Sequence, residues 1–445
     1  MYTCGVTVYD ECHIGHARSL YIFDVIRRYL KYHGFDVKFV RNITDIDDKI
    51  INRANELKTD WKELVKKYIG SYYGDLAVLR IDKADYEPSA TENIEGMKKH
   101  IQGLIEKGYA YQTQTGVYFS VRKFKDYGKL SGQSIDQMLS GVRKEADETK
   151  EDPLDFALWK KSKPGEPSWA SPWREGRPGW HIECSVMSQK FLKTDTLDIH
   201  AGGRDLIFPH HENEIAQSEA LTNKPFAKYW IHHGLLTING QKMAKSLGNF
   251  VTIKDFIAKY KYADILKLFF LSAHYSHPID YNDKEIEEAK QALERIIILF
   301  GKIETDATSC KLQATGRRFI ELENIKNKFI EAMDDDFNTP QALAAIFDLV
   351  NITNKNINDL EFISKASNLL YKLTEVFSLD LKKVIGFTNL PASVTVYNIE
   401  TLINRRNAEK KMKNFKEADS IRKELEEKGI ILEDTKDGTT WRRKL

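Results

Sequence analysis

Apolar residues recur along this chain at two spacings, and the switches between them mark its elements. In "HIGHARSLYIFDVIRRYLKYHGF", Leu20, Phe23, Ile26 and Leu30 fall three or four apart and so share one face of a helix. Arg27 and Arg28 bound that face with charge. The preceding "YTCGVTVYD" reads as a short buried strand, and "DVKFVRNIT" returns to a strand. Strand, helix and strand at this separation form a βαβ unit, which predicts a parallel sheet. Helical pattern dominates roughly 60 to 110. From about 115 to 180 short strands and lysine-rich polar loops suggest an insertion. "LDIHAGGRDLIFPHHENEIAQSEAL" then repeats strand, glycine loop and helix, and "YWIHHGLLTINGQKMAKSLGNF" adds a strand, a turn at Asn239-Gly240 and a loop. The sheet is therefore expected in two halves. Beyond about 285 the pattern is nearly all helical, ending in two charged helices and a small hairpin turning at Asp437-Gly438. No fixed-period repeat interrupts this order.

Composition narrows the class. A chain of 445 residues is too long for one ordinary core. With 42% hydrophobic and 30% charged residues it fits a soluble globular protein, and no apolar run is long enough to span a bilayer. The first residues lack the basic end and apolar stretch of a signal peptide. The net charge of +2 excludes no partner, since a basic face for nucleic acid can coexist with it. Four scattered cysteines, Cys4, Cys12, Cys184 and Cys310, argue against a disulfide framework and for a reduced, cytoplasmic protein.

Three stretches carry candidate chemistry. In "FPHHENEIAQ", Pro209 suits the first turn of a helix, on which His210 and Glu214, four apart, share a face. His211 and Glu214, three apart, are the alternative pair. One imidazole and one carboxylate are plausible zinc ligands but too few, and a polar helix start is the ordinary reading. Cys184 in "GWHIECS" and Cys4 in "YTCG" could complete a set, although nothing in the spacing shows that they meet. "HIGH", His13 to His16, opens a helix directly after a strand, where free N–H groups suit a phosphate. "KMAKS" places Lys242 and Lys245 in a glycine-flanked loop, a pair able to neutralise a polyphosphate. "TDIDDKI" fails as a calcium loop, because Lys49 takes a ligand position and no glycine follows; Asp45, Asp47 and Asp48 read as a polar, structural loop.

"HIGH" and "KMAKS", in this order and on two halves of a split sheet, resemble the signature pair of class I aminoacyl-tRNA synthetases. "YTCGVTVYD", "RNITDIDDKI", "GRPGWHIECS", "FPHHENEIAQS" and "KMAKSLGNF" resemble the cysteinyl-tRNA synthetases among them, over essentially the whole chain to the terminal "GTTWRRK". The resemblance implies an α/β fold: a split Rossmann-like parallel-sheet catalytic domain with an inserted connective domain, then a helical bundle and a small C-terminal anticodon-binding domain. The boundaries it suggests are 1–114 and 181–250 for the two catalytic halves and 115–180 for the insertion. A stem-contact region at 251–300, a bundle at 301–395 and the terminal domain at 396–445 follow. The insertion is too short for a large editing domain.

The resemblance further implies one zinc per chain, held by Cys4, Cys184, His210 and Glu214, which selects cysteine by its thiolate. It implies ATP-dependent ligation of L-cysteine to tRNA(Cys) through a cysteinyl-adenylate, with Mg²⁺ arriving with ATP and no protein nucleophile. His13, His16, Lys242 and Lys245 fall to ATP and its phosphates, Asp205 to the nucleoside or amino-acid side. Trp180 is expected to wall the amino-acid pocket, and Gly5, Thr7 and Thr44 to line it. In the terminal domain Lys410, Lys411, Lys413 and Lys416 would meet phosphates, Phe415 and Trp441 would stack on bases, and Asp419 and Asp434 would accept from base edges. A monomer without membrane contact is expected.

This chain departs from the family pattern twice. Met1 stands three residues ahead of Cys4 where a short leading segment is usual, so the chain is either truncated or recorded from an internal methionine. Ala244 replaces the usual serine of the lysine loop, but both lysines remain and activity is expected to survive. Two other functions compete: a cysteine ligase acting on an amino sugar, which would lack a full anticodon-reading end, and a zinc-stabilised, non-catalytic tRNA-binding paralogue, which would have lost "HIGH" or the lysines.

Overall fold

The structure, a computed structural model, describes residues 1–141, 149–244, 247–306, 317–379, 396–427, 430–435 and 438–443. It divides into two compact units. The first covers Met1–Ile286 with Asp335–Pro340 and Val376–Ser378; the second holds the remainder.

The first unit begins with β1 (Tyr2–Thr3), α1 (Ile14–Tyr32), β2 (Val40–Arg41), α2 (Asp48–Leu57), α3 (Trp61–Val78) and α4 (Ile94–Glu106). The insertion follows as β3 (Ala110–Gln112), β4 (Gly116–Phe119), α5 (Ile135–Gly141), β5 (Phe156–Lys161) and β6 (Gly176–Pro178). The chain then returns through α6 (Trp180–Leu192), β7 (Leu197–Gly203), α7 (Glu212–Thr222) and β8 (Ala227–His233). Next come β9 (Leu236–Ile238), β10 (Gln241–Lys242), α8 (Ile253–Tyr260), α9 (Ala263–Leu271) and β11 (Ile279–Tyr281).

Four strands make the expected parallel sheet, in the order β2-β1-β7-β8. The two halves of the sheet meet at β1, where Tyr2 pairs with Val40 on one side and His200 on the other. The first strand is much shorter than the run "YTCGVTVYD" suggests. At Gly5 the backbone N–H turns to the Asn42 side chain, 2.8 Å from Oδ1, instead of to a neighbouring strand. A Cβ at Gly5 would lie 1.5 Å from the Asn42 carbonyl oxygen, so only glycine permits this approach. Pairing resumes only as an isolated bridge between Thr7 and Thr44.

The insertion is an antiparallel sheet in the order β3-β4-β5-β6. Its fully buried Trp159 joins Val117, Phe119 and Leu158 to a core shared with Tyr2, Val40, Ile182 and Ile215 of the parallel layer. Loop residues of the insertion are also pinned to α7: Glu212 accepts from the N–H groups of Gly128 and Ser131, each at 2.9 Å, and Tyr127 donates to Asn213. These bonds explain why the polar "ENE" run is buried rather than solvated.

From Asp283 onward α10 (Asp283–Asp306), α11 (Arg317–Asp334), α12 (Thr339–Lys355) and α13 (Leu360–Val376) follow one another. The chain ends in α14 (Val396–Lys411), α15 (Phe415–Glu427) and an antiparallel hairpin of β12 (Ile430–Thr435) and β13 (Gly438–Arg443). Asp437 of the expected turn lies outside the described residues. Among the described residues no helix is long and apolar enough to cross a membrane.

Candidate metal centre and nucleotide cleft

Four side chains from separate parts of the chain converge beside β1. Cys4 follows that strand, Cys184 lies on α6 and Glu214 in the first turn of α7. His210 precedes α7. The regular helix begins at Glu212, not at Pro209 as the sequence suggested; a wide turn over Ile207–His211, with Phe208 extended at φ −134°, ψ 130°, leads into it. That turn still brings His210 Nε2 within 2.8 Å of Glu214 Oε1. Cys4 Sγ lies 3.6 Å from the same oxygen and 3.9 Å from Cys184 Sγ. One donor atom from each of the four lies within 4.8 Å of the others.

The donor set suits a soft divalent ion: two sulfurs, an imidazole and a carboxylate, as in tetrahedral zinc sites. His210 Nε2 is buried and points at Glu214 Oε1, so the imidazole faces into the cluster. Electrostatics agree. Burial would raise the Cys184 thiol, but the hydrogen bond from Cys4 and the charge of His210 outweigh it and bring it down to about 6. Burial likewise opposes ionisation of Glu214, yet His200 and His210 hold it well below the usual carboxylate range. Against burial, Glu214 and Cys184 push His210 up to about 10. Protons thus rest on His210 and Cys4, and a cation held by these donors would displace them.

A second grouping, Cys4, His200, His211 and Glu214, also lies within 4.8 Å. In it, His200 Nε2 sits 2.6 Å from Glu214 Oε2, and His211 meets Cys4 Sγ through Nε2 at 3.3 Å and His232 Nε2 through Nδ1 at 2.8 Å. Both His210 and His211 therefore reach the cluster, and His200 holds the second oxygen of Glu214. Trp180 lies over His210, ring centroids 4.0 Å apart and nearly parallel, and His181 Nδ1 meets His210 Nδ1 at 2.9 Å. His211 was weighed from sequence only as the alternative to His210; His181, His200 and His232 were not singled out, and only the histidines within "GWHIECS", "LDIHAGG" and "YWIHH" could have signalled them.

The start of α1 is arranged differently from the expected open end. His13 Nδ1 accepts from the N–H groups of Gly15 at 3.0 Å and His16 at 3.2 Å, while His16 Nδ1 accepts from His13 N–H at 3.3 Å. Two imidazoles thus cap the helix reciprocally, and these N–H donors are not left for a phosphate. The rings stack at 3.7 Å. Burial, with His13 adding to it, pushes His16 down to about 3, so that ring is neutral at pH 7. Both line a cleft with Thr7, Tyr68, Tyr72 and Phe250. A Cβ at Gly15 would lie 2.8 Å from the His13 ring and 3.3 Å from Met243 Cε, so glycine lets the lysine loop come close.

That loop is tied to the same place. Ile14 N–H donates to Val251 O at 3.1 Å, Ile253 N–H to Cys12 O at 3.0 Å, and Lys254 pairs with Glu11 at 2.8 Å. Asn249 spans the turn, accepting from Ala244 N–H at 2.8 Å and donating to Lys242 O at 3.1 Å, without needing a hydroxyl at 244. Lys242 is exposed on β10; Lys245 lies outside the described residues.

Residues 1–291 match the class I (C) catalytic domain of tRNA synthetases, 328–382 the DALR domain, and 397–442 the cysteinyl-tRNA ligase anticodon binding domain. The cysteine–tRNA ligase of Thermodesulfovibrio yellowstonii is 50% identical, the match covering 100% of this chain and 95% of that one. The chain belongs to the cysteine–tRNA ligase family. The enzyme of Geobacillus thermodenitrificans is 48% identical, with 100% and 94% covered. The methionyl-tRNA synthetase of Mycobacterium tuberculosis, solved with methionyl-adenylate, shares the fold with a TM-score of 0.62 at 16% identity over 84% of this chain and 89% of that one. The agnB2 LeuRS of Agrobacterium radiobacter K84 does so with 0.64 at 11% identity over 87% and 85%.

Other expected residues of this ligase fall into distinct settings. Thr44 is buried, and its hydroxyl donates to Glu183 at 2.9 Å, so it supports the site rather than facing a ligand. Asp205 is exposed beside Gly203. Asp47 caps α2 through Lys49 N–H at 2.9 Å, Asp45 accepts from Thr91, and Asp48 pairs with Arg177 and Lys160, all structural uses.

In the anticodon-domain match, Asp434 takes two bonds of 2.8 Å from Arg406 and one of 2.9 Å from Lys410. These pairings hold its carboxyl far below the ordinary range, and no oxygen of it is idle for a base edge. Trp441 packs on Ile403, Ile421, Leu425 and Leu432, a small local core. Phe415 is 58% exposed, and Lys411, Lys413, Lys416 and Asp419 are also exposed.

Proposed function

We propose that this ligase joins L-cysteine to tRNA(Cys) in two steps, through a cysteinyl-adenylate formed from Mg·ATP. The observation that carries the reading is the cluster of the half-buried Cys4 with the buried Cys184, His210 and Glu214, in a chain whose Thr7, three residues after Cys4, lines a cleft with His13 and His16. A zinc ion held by that cluster supplies a soft Lewis acid, which favours a thiolate over the hydroxyl of serine and gives alanine or glycine nothing to hold. Shape alone would separate such close analogues poorly. Trp180 and His181 fix the plane of His210, and His200 holds Glu214. Thr7 lines the cleft and Gly5 directly follows Cys4, and both are assigned to the amino-acid pocket.

The carboxylate of cysteine attacks the α-phosphorus and pyrophosphate leaves; a ribose hydroxyl at the tRNA end then attacks the acyl carbon, losing its proton as the ester forms and AMP leaves. Positioning and charge stabilisation suffice for both. His13 and His16 orient the triphosphate through their imidazoles, while Lys242 and Lys245 neutralise charge on the departing pyrophosphate. Asp205 is assigned to the nucleoside or amino-acid side. In the anticodon-binding region, Phe415 with Lys411, Lys413, Lys416 and Asp419 offers a free stacking face and charges. Asp434 and Trp441 shape that region from within. The match over 397–442 argues against an amino-sugar ligase, and the cleft with its docked lysine loop argues against a non-catalytic paralogue. Charging of tRNA(Cys) with labelled cysteine tests the proposal. Adenylate formation without charging would favour the amino-sugar reading, and tRNA binding without adenylate the paralogue.

A further inference from the structure

The small sheet that presents the lysine loop is braced at both ends. Its three strands run in the order β10-β9-β11, with Lys242 exposed on β10. Helix α1 supplies the first brace. Arg18, fully buried two residues after His16, donates through Nη1 to Gly234 O at 2.7 Å and Leu235 O at 2.9 Å. Through Nη2 it donates to Tyr275 O at 3.2 Å and His277 O at 2.6 Å. The first two carbonyls lead into β9 and the last two into β11. No carboxylate pairs with Arg18 among the described residues, so backbone carbonyls alone meet its charge. A Cβ at Gly234 would lie 2.2 Å from His277 O, so glycine lets the two segments meet around the guanidinium.

The second brace is Asp280 on β11, half-buried. Thr237 of β9 pairs in register with Lys242 on one side and Asp280 on the other. Asp280 Oδ1 accepts from the Thr237 hydroxyl at 2.6 Å and from Gly240 N–H at 2.7 Å, and Asn282 donates to Oδ2 at 3.1 Å. Against burial, these bonds hold the Asp280 carboxyl below its usual range. Asn239 and Gly240, with φ of 49° and 74°, form the tight turn from β9 to β10. Asn239 N–H also reaches β11, at 3.2 Å from Tyr281 O. One carboxylate oxygen thus holds both the middle strand and the turn of the hairpin that carries Lys242.

We propose that Asp280 is a positioning residue for adenylate formation: through Thr237 and Gly240 it aims the hairpin that carries Lys242, while Arg18 ties the same sheet to the helix that His13 and His16 open. The proposal rests on the ligase reading above, in which Lys242 meets the departing pyrophosphate. The test uses full-length, zinc-loaded protein and separates the two steps. Cysteine-dependent ATP–pyrophosphate exchange reads adenylate formation. Single-turnover transfer from isolated, enzyme-bound cysteinyl-adenylate to tRNA(Cys) reads the second step, in which no pyrophosphate departs. Asp280→Ala is expected to lower the kcat of exchange about tenfold, as a misplaced group does, with KM for ATP and cysteine within about twofold. Its transfer rate and zinc content stay at wild-type values. Asp280→Asn is expected to keep most of the exchange rate, since its one amide oxygen can accept both hairpin bonds. Thr237→Val, which removes one of them, should lose about threefold. In a Lys242→Ala background, Asp280→Ala should cost about twofold or less, because it acts through that lysine. Unchanged exchange in Asp280→Ala, equal losses in exchange and transfer, or the full loss in the Lys242→Ala background would each overturn the proposal. If Asp280→Ala loses zinc or melts early, Thr237→Val decides: slower exchange with unchanged transfer supports the proposal, and any other result overturns it. Failure of the ligase reading is distinguishable, since the wild type itself would then form no cysteinyl-adenylate.

Discussion

His200 provides the sharpest test of how the metal centre is built. It sits on β7, fully buried, with Nε2 2.6 Å from Glu214 Oε2, so that Oε1 is left for His210 and the cluster. His200→Ala removes a charge-assisted hydrogen bond worth about 1.5–3 kcal/mol. If that energy serves to aim the carboxylate, zinc affinity falls by roughly 10- to 150-fold. His200→Gln, whose amide can donate to the same oxygen, should fall less. Zinc affinity is read by chelator competition, and folding by thermal denaturation at saturating zinc, since removing a buried ring also costs stability. Retention of wild-type affinity in His200→Ala would show that Glu214 needs no such support. Loss as complete as in Cys184→Ser would make His200 a ligand and favour the grouping with His211.

Other outcomes follow from the same geometry. Cys184→Ser should lose zinc and cysteine-dependent exchange together, measured by metal content and exchange rate, whereas Lys242→Ala should slow exchange with metal content intact. His100, buried with Nε2–H donating to Gln217 O at 3.3 Å, is pushed down to about 4 by burial. Its folded value is below the unfolded one, so the stability it supports is present above about pH 6.5 and is lost as pH falls toward 4. The loss is up to about 3 kcal/mol. His100→Leu should flatten the melting temperature of zinc-saturated protein across that window. Asp434→Asn, which weakens the Arg406 pairing, should lower tRNA charging while leaving exchange unchanged; equal loss in both assays would refute a role confined to the anticodon-binding region.

Much of the catalytic architecture was legible in sequence because it depends on local periodicity. The helix after "HIGH", the parallel sheet in two halves and the helical C-terminal half all follow from apolar spacing. Strand lengths did not, because β1 ends where the Asn42 side chain replaces a neighbouring strand, a contact between residues 37 apart in sequence. The cluster of Cys4, Cys184, His210 and Glu214 came from family resemblance; spacing suggested only the last pair. The supporting histidines stayed hidden because each acts through a partner brought near by folding, as His200 does through Glu214. The reciprocal His13/His16 cap was equally invisible, since the same letters fit an open helix end. Asp434 and Trp441 look like free recognition groups in sequence, but Arg406 and the hairpin core claim them.

The most direct measurement is ATP–pyrophosphate exchange with each amino acid in turn, without tRNA, on protein loaded with zinc and again after chelation. The account predicts exchange with cysteine alone, lost on chelation and regained when zinc is restored. Exchange with no amino acid, or cysteine exchange and its discrimination from serine unchanged by removing the metal, would contradict it.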